Sequence, residues 1–221
     1  MKTVVVDLEM CRVAKGERTK DFNISNEIIQ IGAALLDEEL NIIDTFSEYV
    51  APQHGSLTSN IIKLTGITQD DLAGAPVLET ALNDFSEWLP DDVEAFVAWS
   101  GTDGSQLRKE LEANGISNEK VESLLEHYVD AQEIFTQKMD SKRAYKLSEA
   151  LIAANIIGSN KEHDGLADAY NTALLYAKLM NEPNIVLNPI YEEARKEEVN
   201  HLSYSFASLF AGLDLSMLPA S

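Results

Sequence analysis

The sequence is poor in cysteine and has no long apolar run. Cys11 is the one cysteine among 221 residues, so an intramolecular disulfide framework is excluded. No segment approaches the roughly 20 consecutive apolar residues that cross a bilayer. The apolar run near the N-terminus is shorter than that of a signal peptide, because Asp7 and Glu9 interrupt it. We therefore expect a soluble, cytoplasmic protein without membrane contact.

Basic residues are also scarce. The chain has 17 lysines and arginines against 37 aspartates and glutamates, which gives a net charge of −20. Proteins that coat long nucleic acids are usually basic, so the overall charge argues against that class. The basic residues nevertheless concentrate in two basic islands, residues 12–20 and residues 138–146. Each island is either a solubilising loop or a contact for backbone phosphates.

Several common catalytic motifs are missing. The sequence has no glycine-rich phosphate loop of the P-loop or dinucleotide type, and no G-x-S-x-G nucleophile elbow. Its four histidines lack zinc-site spacing, and Cys11 has no obvious catalytic partner. These absences direct attention to the carboxylates.

The residue pattern predicts one α/β domain with a mixed sheet flanked by helices. An antiparallel opening hairpin is followed by a parallel strand, and a strongly periodic helix covers Gly165–Met180. Residues 11–26 are expected to form a loop, and Val129 and Asp130 to begin or precede a helix. The predicted strands are Thr3–Glu9, Glu27–Leu36, Asn41–Val50 and Phe96–Trp99.

The chain is expected to divide near its prolines at 183 and 189. Residues 1–180 form the predicted main domain. Residues 181–221 form a helical extension that packs either on this domain or on a partner subunit, which would make a homo-oligomer.

Two acidic residues on the first predicted strand are the first candidates for chemistry. Asp7 and Glu9 are two residues apart, so both side chains point to the same face of the strand. Adjacent carboxylates near a core repel each other unless a cation lies between them, and a hard divalent cation prefers such oxygen ligands. The alternative is that the strand ends at Val6 and both acids are solvated.

Two later features carry the same kind of chemistry. Asp103 follows a predicted strand and opens a helix, where it either is an ordinary N-cap or directs its carboxylate toward the sheet. Asp168 lies within the apolar face of a helix, and His163 precedes it. A histidine next to a buried carboxylate suits a general base beside a metal, although a surface histidine at a helix start is an equal alternative.

The order of these features resembles a known family. Asp-x-Glu on the first strand, an aspartate after a later strand and His-x4-Asp on a late helix are similar to the DEDDh 3′–5′ exonucleases of the ribonuclease-H-like fold. The resemblance covers residues 3–180 and includes EIIQIGAALLD at 27–37, IIKLTGITQDDL at 61–72 and HDGLADAYNTA at 163–173. Cys11 after Asp-Leu-Glu-Met resembles the branch of histone-mRNA exonucleases and bacterial sporulation-inhibitor-type proteins.

The resemblance implies roles for individual residues. His163 is expected to be the general base, and two divalent ions, Mg²⁺ or Mn²⁺, are expected in each active site. The metal-binding carboxylates are expected to be Asp7, Glu9, Asp103 and Asp168.

A second set of residues is expected to contact substrate. Met10 stands where many relatives have threonine, and Leu64 and Thr65 match a segment that packs near the 3′-terminal nucleotide in this family. Arg12, Lys142 and Arg143 belong to the basic islands and are candidates for phosphate contacts.

The resemblance implies hydrolysis of phosphodiester bonds at the 3′ ends of single-stranded RNA or DNA, with release of 5′-mononucleotides. One alternative is a non-catalytic regulator that binds 3′ ends, although the presence of all five catalytic candidates counts against it. The other is a phosphodiesterase that acts on dinucleotides or nucleotide conjugates, which suits the acidic composition better.

Overall fold

The computed structural model describes residues 2–20, 22–158, 163–189 and 191. The helices are α1 (Ser59–Thr65), α2 (Gln69–Leu72), α3 (Leu78–Trp88), α4 (Gly101–Asn114), α5 (Glu119–Glu126), α6 (Ala131–Lys138), α7 (Leu147–Ala153) and α8 (Gly165–Asn181). The strands are β1 (Lys2–Val13), β2 (Asn26–Leu36), β3 (Ile42–Tyr49), β4 (Gly55–Ser56), β5 (Val93–Ala98) and β6 (Tyr128–Asp130).

One mixed sheet of six strands organises the fold. The strand order is β3-β2-β1-β5-β6, and β4 pairs with the far end of β1. β2 pairs antiparallel with both β1 and β3, as expected for an antiparallel opening hairpin. β5 pairs in parallel with β1, and β6 pairs in parallel with β5. The predicted α/β class with a mixed sheet is therefore confirmed.

Helices cover both faces of this sheet. Val4, Val6 and Leu8 of β1 pack with side chains of α3, α4 and α5, whereas Val5 packs with those of α6, α7 and α8. Because side chains alternate along a strand, Asp7 and Glu9 share the face of Val5. Both acids therefore lie on the side of the sheet that α8 covers.

The predicted extent of the first strand is wrong. β1 continues past Glu9 to Val13, where Cys11 and Val13 are buried, so the predicted loop over residues 11–26 begins too early. The alternative that the strand ends at Val6 also fails. Tyr128–Asp130 pairs in parallel with β5, and Asp130 is the N-cap of α6, so the expectation that Val129 and Asp130 precede a helix is confirmed. The strand itself was not predicted, because three residues are too few to show an alternating pattern.

The C-terminal extension is described only in part. After α8 the backbone N–H of Asn188 donates to the carbonyl of Ala153, 2.9 Å away, which attaches this stretch to the end of α7. The helix expected beyond residue 190 falls outside the described residues, apart from residue 191, so the domain division and the homo-oligomer stay predictions. In the described part of the chain, every helix is too short or too polar to span a bilayer.

Candidate active site

The first two acids lie where β1 passes under α8. Asp7 pairs with Gly32 of β2, and Glu9 pairs with Gln30. The register between β1 and β2 shifts immediately after Glu9, and such irregularities often re-aim side chains next to active sites. Glu9 is only 8% exposed and Asp7 is partly buried, so neither carboxylate is freely solvated.

Asp103 reaches the same place from α4. Pairing between β1 and β5 ends at Val5 and Val97, which leaves later backbone groups of β1 without a partner from β5. The backbone N–H of Leu8 donates instead to Asp103 Oδ1, 3.2 Å away. Ser100 is the N-cap of α4, so the N-cap interpretation of Asp103 is wrong and its carboxylate is directed toward β1.

Two glycines allow the start of α8 to approach the sheet. A Cβ atom on Gly32 would lie 2.0 Å from the carbonyl carbon of Gly165, so no side chain fits between them. The backbone N–H of Gly165 donates to Gln30 Oε1 at 3.0 Å, which fixes the helix over β2. This close approach brings the residues around the start of α8 beside Asp7 and Glu9.

His163 and Asp168 complete the cluster. The backbone N–H of His163 donates to Asp168 Oδ2 at 2.9 Å, and His163 has a φ of +62°, in the left-handed region. Glu9, His163 and Asp168 each offer one ligand atom, and these atoms lie within 4.8 Å of one another. The structure thus brings together the histidine and carboxylates that the sequence singled out.

The electrostatics show that these carboxylates are crowded. Burial raises the pKa of Asp7 well above its usual value, and repulsion by Asp103, Asp168 and Glu9 raises it further. Burial, then Asp168 and Asp103, raises the pKa of Glu9 to about 7. The pKa of Asp103 rises to about 6, mainly through burial and against the opposing effect of its hydrogen bond from Leu8.

Asp164 adds to this negative charge and was not identified from the sequence. It is the N-cap of α8, with its Oδ1 accepting from the backbone N–H of Ala167, and its charge also raises the pKa of Asp7 and of Glu9. Its position immediately before the first helical residue is the available signal, but that signal indicates only a cap.

The donor set fits hard divalent cations. Asp7, Glu9, Asp103 and Asp168 supply carboxylate oxygens, the ligands that Mg²⁺ and Mn²⁺ prefer. Burial of several repelling carboxylates costs stability unless positive charge offsets it. The pKa values of Asp7, Glu9 and Asp103 are raised, and a bound cation would lower them by favouring the charged carboxylates.

These residues open into a cavity of about 730 Å³. Met10, which the sequence assigned to substrate, lines it. Trp99, Tyr145 and Lys146 also line the cavity. The two aromatic residues were missed because neither belongs to a motif, whereas Lys146 belongs to the 138–146 island, from which only Lys142 and Arg143 were named as substrate residues.

The other predicted substrate residues lie outside the cavity lining. Leu64 is 50% exposed on α1, and the hydroxyl of Thr65 donates to the carbonyl of Ile61. Arg12 is exposed where β1 pairs with β4. Lys142 and Arg143 are exposed between α6 and α7. Their contacts with substrate stay predictions.

Comparisons with known proteins find a family match over most of the chain. The sequence matches the family described as Exonuclease (RNase T) over residues 4–176. It is 34% identical over 180 residues to ERI1 exoribonuclease 2 of Danio rerio, a match that covers 71% of this chain and 32% of that protein. The chain thus spans about a third of that relative's length.

Solved structures share the fold. The nuclease domain of 3′hExo, a DEDDh family member bound to rAMP, has a TM-score of 0.70 at 22% identity, covering 85% of this chain and 96% of that one. E. coli Exonuclease I in complex with a dT13 oligonucleotide has a TM-score of 0.59 at 16% identity, covering 80% of this chain and 40% of that one.

Proposed function

The chain belongs to the DEDDh 3′–5′ exonuclease family, and from this premise we propose that it removes nucleotides from the 3′ ends of single-stranded nucleic acid and releases 5′-mononucleotides. The observation that carries the proposal is the convergence of Asp7, Glu9, Asp103 and Asp168 with His163 at one cavity. Divalent metal dependence follows from the family, and Mg²⁺ or Mn²⁺, two ions per site, is the proposed form.

The carboxylates and the histidine have separate tasks. Two divalent ions, when bound, supply the positive charge that stabilises the attacking and leaving oxygens of a phosphodiester. The four carboxylates would hold those ions in place, and Asp103 is itself oriented by the N–H of Leu8.

His163 accepts the proton of the attacking water at an imidazole nitrogen, as a general base does. Its backbone is tied to Asp168 by the hydrogen bond from its N–H, so the base and one metal ligand keep a fixed relation. The left-handed φ at His163 fits this view, because strained conformations of non-glycine residues concentrate at functional sites.

The proposed substrate is single-stranded RNA or DNA with a free 3′ end. The names of the relatives support both: one is an exoribonuclease, and Exonuclease I was solved with a dT13 oligonucleotide. A metal-dependent phosphodiesterase acting on dinucleotides is a second candidate. The observation that favours it is that Lys146 is the one lysine or arginine among the described residues lining the cavity, which limits attraction for long strands.

End-labelled strands test the proposal directly. The protein is incubated with 5′-labelled and 3′-labelled single-stranded RNA and DNA, in Mg²⁺, in Mn²⁺ and in EDTA. We expect a ladder of shortened 5′-labelled products and early loss of the 3′ label as a mononucleotide, with no reaction in EDTA. A labelled dinucleotide turned over faster than every longer strand would favour the second candidate, and internal cleavage would contradict the proposal.

A further inference from the structure

The segment between α6 and α7 forms one wall of the cavity and is firmly anchored there. The carbonyl of Tyr145 accepts two hydrogen bonds, from Trp99 Nε1 at 3.1 Å and from Gln132 Nε2 at 2.7 Å. The Tyr145 ring packs edge-on against Phe135 at 5.2 Å between centroids. The next residue, Lys146, is therefore presented to the cavity from a fixed backbone.

The basic residues of this segment are not equivalent. Lys138 donates to the backbone carbonyls of Glu182 and Pro183, and Arg143 forms an ion pair with Glu149 while its guanidinium covers the ring of Tyr145. Those two cations already have structural partners.

Lys142 and Lys146 differ from that pair. Neither forms an ion pair with any residue that the structure describes. Of the two, Lys146 alone lines the cavity that contains the catalytic carboxylates.

We propose that Lys146 binds a backbone phosphate of the substrate strand upstream of the scissile bond. The inference rests on the proposed function and names the residue that holds the strand in that same site. A chain of net charge −20 repels a polyanion, so attraction is available where a lysine lines the cavity and forms no ion pair with a described residue.

The position of the bound phosphate, upstream of the scissile bond, follows from the separation of the carboxylates and Lys146 within the cavity. The scissile phosphate belongs beside the carboxylates that hold the cations, and Lys146 makes no ion pair with them. Ser148, in the first turn of α7, also lines the cavity, and its hydroxyl is a second candidate donor to the same phosphate. This assignment also moves the predicted role of the 138–146 island from Lys142 and Arg143 to Lys146.

Steady-state kinetics on two substrates test the inference. On a long single strand, Lys146→Ala should raise KM roughly 5- to 30-fold at low salt, between the typical losses for an exposed ion pair and for a hydrogen bond to a charged group, with kcat little changed. The slope of log affinity against log salt should fall by about 0.7, the value for one phosphate contact with a single strand. Lys146→Arg should restore most of the affinity.

A dinucleotide has the scissile phosphate and no upstream one, so Lys146→Ala should leave its KM unchanged. Lys109→Ala is the matched control, because it removes the same charge from an exposed position on α4 outside the cavity. Lys142→Ala should have a smaller effect than Lys146→Ala.

Three results would overturn the inference: equal behaviour of Lys146→Ala and Lys109→Ala on the long strand, a larger effect from Lys142→Ala, or an equal loss on the dinucleotide. Equilibrium binding of the long strand in EDTA, measured by fluorescence anisotropy, needs no turnover. An inactive wild-type protein would therefore refute the proposed function, while the binding of Lys146→Ala would still decide this inference.

Discussion

Replacement of Glu9 by glutamine should stabilise the metal-free protein at high pH and leave it unchanged at low pH. The pKa of Glu9 is raised from 4.5 to about 7, so the folded state holds this proton more tightly than the unfolded chain does. The contribution of Glu9 to the free energy of unfolding is therefore greatest below pH 4.5 and falls as the pH rises toward 7. A raised pKa of this size corresponds to about 3 kcal/mol at pH 8, which Glu9→Gln should recover.

Urea unfolding in EDTA at pH 4 and at pH 8 measures this effect. Glu39→Gln is the matched control, because it makes the same substitution at an exposed position in the turn between β2 and β3. Added Mg²⁺ should stabilise the wild type at pH 8 more than it stabilises Glu9→Gln, because cation binding removes the repulsion that the mutation also removes. An equal effect of Glu9→Gln at both pH values, or a loss of stability at pH 8, would refute the electrostatic account.

Three further predictions concern the surroundings of the site. Gly32→Ala should destabilise the protein by about 3 kcal/mol in urea unfolding, because the new Cβ meets the backbone of Gly165; Gly16→Ala, with open space around it, is the control, and equal effects would contradict the close approach. His163→Gly should be more stable than His163→Ala by about 1 kcal/mol in thermal unfolding, because only glycine adopts a φ of +62° freely, whereas equal stability would remove the argument for strain. Alanine at all four basic positions of residues 12–20 should weaken strand binding and flatten its salt dependence, and an unchanged salt series would make that island a solubilising loop.

Much of the site could be predicted because the proposed catalytic residues stand where their residue types are unusual. Asp7 and Glu9 alternate in phase with a buried strand, and Asp168 interrupts the apolar face of a helix, so each breaks a local rule that a core segment otherwise follows. Their order along the chain, together with Asp103 and His163, then indicated the family.

The remaining features depend on contacts that no local pattern encodes. Gly32 is one small residue in a buried strand, and only the packing of α8 shows that it must lack a side chain. β6 has three residues and is defined by its partner β5. Lys146 belongs to a basic island whose other members are equally basic in sequence, and only their partners in the fold distinguish them.

The most direct test of the account compares metal binding and turnover in two variants. Isothermal titration calorimetry with Mg²⁺ and single-turnover cleavage of a labelled strand are measured for the wild type, Asp7→Asn and His163→Ala. We predict that Asp7→Asn loses both metal binding and cleavage, whereas His163→Ala keeps metal binding and cleaves roughly 10²–10⁴-fold more slowly, the usual loss for a positioned general base. Wild-type cleavage by Asp7→Asn in Mg²⁺ would contradict the assignment of this cavity as the active site.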